Sequence, residues 1–144
     1  QPFNVIVDYA HTDDALRNVL EALRKLKPAR LTCLFGCGGD RDATKRPRMA
    51  KVAAELADKV VVTSDNPRTE DPEKILDMVV AGIPQGIPFL RQADRRLAIR
   101  NVVAEAIPGE VILVAGKGHE NYQEVQGVKH HFDDVEEVRA AMGL

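Results

Sequence analysis

The chain has 144 residues, 44% of them hydrophobic, which suffices for one buried core and not for two. Lys and Arg number 20 against 22 Asp and Glu, a net charge of −2, and no basic run supplies the field that a nucleic acid backbone requires. Two tyrosines, four phenylalanines and no tryptophan leave little for base stacking, and the longest apolar stretch, Val111 to Ala115, is far short of a membrane span.

Short β-branched runs alternate with helical periodicity along the whole chain. The first run is Phe3 to Val7; behind a Thr12 or Asp13 cap, Leu16, Val19, Leu20 and Leu23 then recur at helical spacing. Leu31 to Phe35 forms a second strand, followed by a helix with Met49, Val52, Ala53 and Leu56 inward, and Val60 to Thr63 a third. The next helix starts at Asp71 and Pro72, buries Ile75, Leu76, Val79 and Val80, and stops at Gly82. A short run from Ile87 to Leu90 leads to a helix capped by Asp94, with Ile99, Val102, Val103 and Ala106 buried. Val111 to Ala115 is the clearest core strand. Tyr122 to Val125 and Val128 to Phe132 flank Gln126 and Gly127 as a hairpin, and a last helix places Val135, Val138 and Met142 inward. The pattern predicts an α/β, Rossmann-like three-layer domain: a mostly parallel sheet of about six strands, helices on both faces and a C-terminal hairpin.

Cys33 and Cys37 are too few for a disulfide scaffold and lack the second pair of a structural zinc site, so a reducing compartment is expected. The chain begins at Gln1 and enters a strand almost at once, which reads as a piece of a longer protein.

Chemistry gathers at one edge. In open α/β sheets the carboxyl ends of the strands meet helix N-termini, where free amides and partial positive charge favour ligands. Here those ends carry Asp8-Tyr9-Ala10-His11, Gly36-Cys37-Gly38-Gly39-Asp40-Arg41-Asp42, Ser64-Asp65-Asn66-Pro67-Arg68 and Gly116-Lys117-Gly118-His119-Glu120. At the opposite edge, Lys27 to Arg30 and Pro108 to Glu110 read as turns with solvated charges.

Gly36, Gly38 and Gly39 approach a dinucleotide fingerprint, but Arg41 stands in place of its third glycine and the loop follows the second strand, which argues against NAD. Neither Gly116-Lys117-Gly118 nor Gly39 to Arg46 has the Lys-Ser/Thr pair of a P-loop. Asp65-Asn66-Pro67-Arg68 joins a carboxylate, an amide and a guanidinium in one stiff turn, a set suited to a zwitterion; the alternative is an Asx-turn with Arg68 paired to Glu70 or Asp71. Asp8 suits either ribose hydroxyls or a helix cap, and His11 either a phosphate or a structural hydrogen bond. His130 and His131 point to opposite faces of a strand and do not chelate one ion; Cys37 has no base beside it and reads as a small loop residue.

These loops, taken with Thr12, Lys45-Arg46-Pro47, Thr69-Glu70-Asp71-Pro72 and Tyr122-Gln123, resemble the C-terminal domain of the Mur ligases over nearly the whole chain. Within them, the resemblance is to the branch adding the third peptide residue to UDP-N-acetylmuramoyl-L-alanyl-D-glutamate. In that family the Asp-Asn-Pro-Arg turn marks selection of meso-diaminopimelate, whereas lysine-adding relatives differ at the arginine position. A buried Arg68 facing lysine would lack a partner, a loss of about 1–3 kcal/mol. The resemblance assigns Arg41, Asp65, Asn66, Arg68, Gly116 and Glu120 to the amino acid, and Asp8 and His11 to ATP, with no catalytic proton-transfer residue and no metal ligand in this chain.

It also implies a reaction in peptidoglycan synthesis in the bacterial cytoplasm. ATP phosphorylates the D-glutamate side-chain carboxylate, and the diaminopimelate amine displaces phosphate from the acyl phosphate to leave an amide. The P-loop and magnesium ligands would lie in a central ATPase domain and the UDP site in an N-terminal one, so residues 1–144 alone are expected to be inactive. The rival readings are another Mur-type or folylpolyglutamate-type ligase domain, which should lack the Asp-Asn-Pro-Arg turn, and a non-catalytic nucleotide-binding regulatory module.

Overall fold

The computed structural model describes residues 2–144. Five strands, β1 (Asn4–Asp8), β2 (Arg30–Phe35), β3 (Lys59–Val62), β4 (Leu90–Arg91) and β5 (Glu110–Ala115), form one parallel sheet in the order β1-β5-β2-β3-β4. The runs of β2, β3 and β5 are apolar on successive residues because both faces of the sheet are covered. Leu31, Cys33 and Phe35, with Val60, Val62, Val111 and Leu113, face α1 (Asp13–Arg24), α2 (Lys45–Leu56) and α3 (Pro72–Val80). Leu34, Val61, Ile112 and Val114 face α4 (Arg95–Ala104) and α5 (Asp134–Ala141). Among the described residues no helix is long and apolar enough to cross a membrane.

Helix starts follow local chemistry. Thr12, Asp71, Asp94 and Asp133 each accept a backbone N–H from the first turn of α1, α3, α4 and α5. Asp8 is therefore no helix cap; its Oδ2 accepts from Ala10 N at 3.0 Å.

Four sequence expectations are corrected. The parallel sheet has five strands rather than about six, because the hairpin β6 (Tyr122–Val125) and β7 (Val128–His131) stays a separate two-stranded sheet. Its β6 strand is held instead by the loop after β3: Arg68 N donates to Glu124 O and Gln126 N to Arg68 O. The Ile87 to Leu90 run yields only the two-residue edge strand β4, with Pro84 and Pro88 interrupting the approach. On α5, Val138 is buried but Val135 and Met142 are exposed, since the helix meets the domain along a single narrow line.

Glu110 is the fourth correction. Its side chain is buried, not solvated, and accepts from Arg30 Nη2 at 2.8 Å, Thr32 Oγ1 and Ile107 N. Burial alone would push its carboxyl up, but the hydrogen bonds from Arg30, Thr32 and Ile107, with the Arg30 charge, outweigh it and hold it below the usual glutamate range. A depressed folded-state value stabilises the fold above the unfolded pKa, and that stability disappears as pH falls through the folded value. Glu110→Ala is expected to cost about 1–3 kcal/mol near neutral pH and to flatten the acid limb of stability below about pH 4.5. Urea denaturation across pH checks both.

Candidate functional site: a charged cleft at the strand ends

The loops after β1, β2, β3 and β5 enclose a cleft of about 310 Å³ lined by Tyr9, His11, Gly38, Arg41, Lys45, Asp65, Asn66, Arg68, Gly116, Glu120 and Tyr122. Seven of the eight residues singled out from sequence therefore share one wall system. Asp8 is not in the lining and lies just behind it, at the end of β1.

Two loops are latched together to form the floor. Gly39 N donates to Asn66 O at 2.7 Å, and a Cβ on Gly39 would sit 1.8 Å from Pro67 O, so only glycine permits this approach. Asp40 accepts from the Thr69 hydroxyl at 2.7 Å, while its own N–H donates to Glu70. Buried Arg46 gives Nη2 to Glu70 at 2.8 Å and to Gly38 O at 3.0 Å. Glu70 is consequently held below the ordinary carboxylate range, chiefly by the Arg46 hydrogen bonds and then by the Asp40 N–H.

The alternative partners for Arg68 are thus already engaged: Glu70 holds Arg46, and Asp71 caps α3. Arg68 turns instead toward the cleft and the hairpin. Its Nη1 donates to Gly39 O at 3.0 Å and its Nε lies 3.6 Å from Glu124 Oε1, leaving Nη2 with no protein acceptor among the described residues. The side chain is only 16% exposed, so this is a shielded guanidinium with its outer N–H groups unspent. Its backbone sits at φ +54°, held there by main-chain bonds to Glu124 of β6 and to Gln126 in the hairpin turn.

Asn66 is committed in the other direction. Its Oδ1 accepts from Lys117 Nζ at 2.9 Å and from Glu124 N at 3.0 Å. Two donors aimed at one atom identify that atom as oxygen, so the group presented to a ligand is the Nδ2 donor rather than the amide oxygen. Acceptors for an ammonium are the carboxylates of Asp65 and Glu120. Gly116, at φ +115°, leaves space beside Asp65 Oδ2, which would lie 3.6 Å from a Cβ there. Arg41 is exposed at the cleft and donates to Asp40 O at 2.9 Å.

Lys117, Glu124 and Tyr122 were not singled out from sequence, although Lys117 and Tyr122 fall in the motifs. The available signal for Lys117 was its place between two glycines just after the interior strand β5. Cys37 is buried beneath the cleft, its thiol pushed up to about 12 by burial, which leaves no nucleophilic thiolate. His130 and His131 are exposed, and His131 Nε2 meets Glu136 at 2.8 Å.

A family model described as Mur ligase, glutamate ligase domain, matches residues 1–118. The chain belongs to the Mur ligase family. Among curated relatives of this Mur ligase domain, UDP-N-acetylmuramoyl-L-alanyl-D-glutamate--2,6-diaminopimelate ligase of Trichormus variabilis is 59% identical over 142 residues, covering 99% of the chain and 29% of the relative. The protein of the same name from Leptospira borgpetersenii is 56% identical over 140 residues, 96% of the chain and 28% of the relative. A solved diaminopimelate ligase structure superposes with a TM-score of 0.95 at 50% identity, over 99% of the chain and 30% of its own length. The domain thus spans under a third of these relatives. A folylpolyglutamate synthase/dihydrofolate synthase from Yersinia pestis shares the fold alone, at a TM-score of 0.63 and 19% identity, over 97% of the chain and 28% of its own length.

Proposed function

We propose that this chain is the amino-acid-binding domain of an ATP-dependent ligase that joins meso-diaminopimelate to UDP-N-acetylmuramoyl-L-alanyl-D-glutamate during peptidoglycan synthesis. One observation carries the reading: a shielded guanidinium, Arg68, with its Nη2 unspent, in the same cleft as two ammonium-accepting carboxylates, Asp65 and Glu120. Diaminopimelate has at each end an ammonium and a carboxylate; lysine has one end without the carboxylate. The Arg68 fork pairs with that extra carboxylate, Asn66 Nδ2 and Arg41 add donors, and Asp65, Glu120 and the open space at Gly116 receive the ammonium. The names of the relatives support the same substrate.

In this reaction ATP supplies the phosphoryl group that activates the acceptor carboxylate. The domain holds the amino acid so that the free amine meets the acyl carbon at about 3–3.5 Å, with phosphate leaving as the amide forms. Asp8 and His11 are assigned to the nucleotide, with Lys45 Nζ donating to His11 O at 2.9 Å in the same cleft. Magnesium ligands and a P-loop are expected in the part of such a ligase that this domain does not span, and the domain by itself is expected to bind rather than catalyse.

Amide-forming rates of the full-length ligase with meso-diaminopimelate and with lysine test this. A site built around a buried donor rejects the analogue lacking the acceptor, so kcat/KM is expected to favour diaminopimelate by roughly 10³-fold or more. Equal use of the two amino acids, or preference for lysine, overturns the assignment.

A further inference from the structure

Lys117 has no solvent exposure, yet its ammonium meets four oxygens from three segments. Nζ donates to Asn66 Oδ1 at 2.9 Å and to Tyr122 O at 2.7 Å, and lies 3.2 Å from Asp65 Oδ1 and 3.6 Å from Glu120 Oε1. Asp65 Oδ1 is itself buried and has no hydrogen-bond partner among the described residues; the Lys117 ammonium is the cation within ion-pair distance of it, and the buried Arg95 guanidinium attracts it from farther off. The backbone reinforces the arrangement, with Glu120 N donating to Lys117 O and the Gln123 side-chain amide to Asp65 O. Three cleft residues from two loops, and the start of the hairpin, thus share one buried cation.

Two consequences follow from charge. Asp65 and Glu120 bring two negative charges and Lys117 one positive, so the wall carries a single net negative charge, the complement of one ligand ammonium. An isolated pair of carboxylates would repel each other and invite protonation or a dication. Lys117 also pins the Asn66 oxygen, which turns Nδ2 outward; without that donor the amide is free to rotate and present the wrong atom.

We propose that Lys117 is a positioning residue that sets specificity for the amino acid: it holds Asp65, Asn66 and Glu120 in place and reduces the ammonium-binding wall to a single net negative charge. The proposal rests on the cleft being the amino-acid site. Lys117 touches no substrate; it acts through the three residues that do.

The test uses the full-length ligase and steady-state kinetics in each of its three substrates, with thermal denaturation as the folding control. Lys117→Met keeps the length of the side chain and removes the charge. Its KM for meso-diaminopimelate is expected to rise about 30-fold or more, while KM for ATP and for the UDP-linked acceptor stays within about twofold. In an E120Q background, where one carboxylate is already neutral, adding Lys117→Met is expected to raise KM for the amino acid by only about threefold to tenfold. A smaller penalty in that background is the signature of charge coupling, which a purely structural lysine does not produce. Should Lys117→Met alone not fold, the E120Q pair decides: a rise of that size confined to the amino acid supports the proposal. No rise, or an equal rise for all three substrates, overturns it, as does an unchanged amino-acid KM in a folded Lys117→Met. A wild-type enzyme that does not use diaminopimelate would sink the underlying functional reading as well, whereas normal wild-type use with an unaffected variant sinks only the role of Lys117.

Discussion

Arg68→Ala in the full-length ligase is expected to lower kcat/KM for meso-diaminopimelate by roughly 30- to 5,000-fold, corresponding to about 2–5 kcal/mol for truncating one member of a shielded charge pair. The same change is expected to alter the small rate with lysine by less than about tenfold, because lysine brings no carboxylate to be abandoned. The backbone does not confuse the comparison: Arg68 sits at φ +54°, and arginine and alanine are both L-residues with a Cβ that strains there. Arg68→Lys separates charge from shape. It keeps a cation but not the planar fork, so an intermediate loss of about tenfold is expected. Parallel losses with both amino acids in Arg68→Ala would mean that the guanidinium serves only to dock the hairpin through Glu124 and Gly39.

Asp134→Ala carries the largest expected stability effect. Arg95 and Asp134 form a two-point pair at 2.8 and 2.7 Å with neither side chain exposed. Removing the carboxylate strands a buried guanidinium, at about 3–5 kcal/mol. Urea denaturation of the chain should therefore show the midpoint falling sharply with little change in slope. Replacing both residues with apolar side chains of similar volume is expected to recover only part of the loss: the pair's attraction is largely offset by desolvation, but Ser64 O and Ala115 O then lose the donor that Arg95 supplies. A fall below about 1 kcal/mol in Asp134→Ala would contradict the buried pair. The function should suffer too: Arg95 also donates to Ser64 O at 2.9 Å and Ala115 O at 3.2 Å, the carbonyls just before Asp65 and Gly116.

Much of this molecule is written in local patterns. Thr12, Asp71 and Asp94 announce their helices because a short acceptor side chain satisfies free amides of the first turn. Val111 to Ala115 is legible as a central strand because a sheet covered on both faces needs apolar residues without alternation. The site was partly legible for a related reason: ligand chemistry gathers at strand carboxyl ends, and Asp65, Asn66, Arg68, Gly116 and Glu120 all fall there. Edge strands are less legible. Ile87 to Leu90 has strand-like residues, but only Leu90 and Arg91 find a partner in β3.

What eluded the linear reading is the pairing of charges across long separations. Glu110 in a Pro-Gly-Glu turn has the look of a solvated residue until Arg30 and Thr32 arrive from β2. Arg46, Arg95 and Lys117 belong to segments whose composition says surface, yet each is fully buried with its partner on another loop or helix.

The order of strands and helices, the caps and the set of polar residues at one edge follow from the amino-acid sequence, since each depends on neighbours within a few positions. Which carboxylate meets which cation, which atom of Asn66 faces the cleft and which nitrogen of Arg68 stays unspent were decided by the tertiary structure alone. Those choices turn on distances of about 3 Å between residues such as Asp65 and Lys117, 52 positions apart in the chain, and no local pattern encodes them.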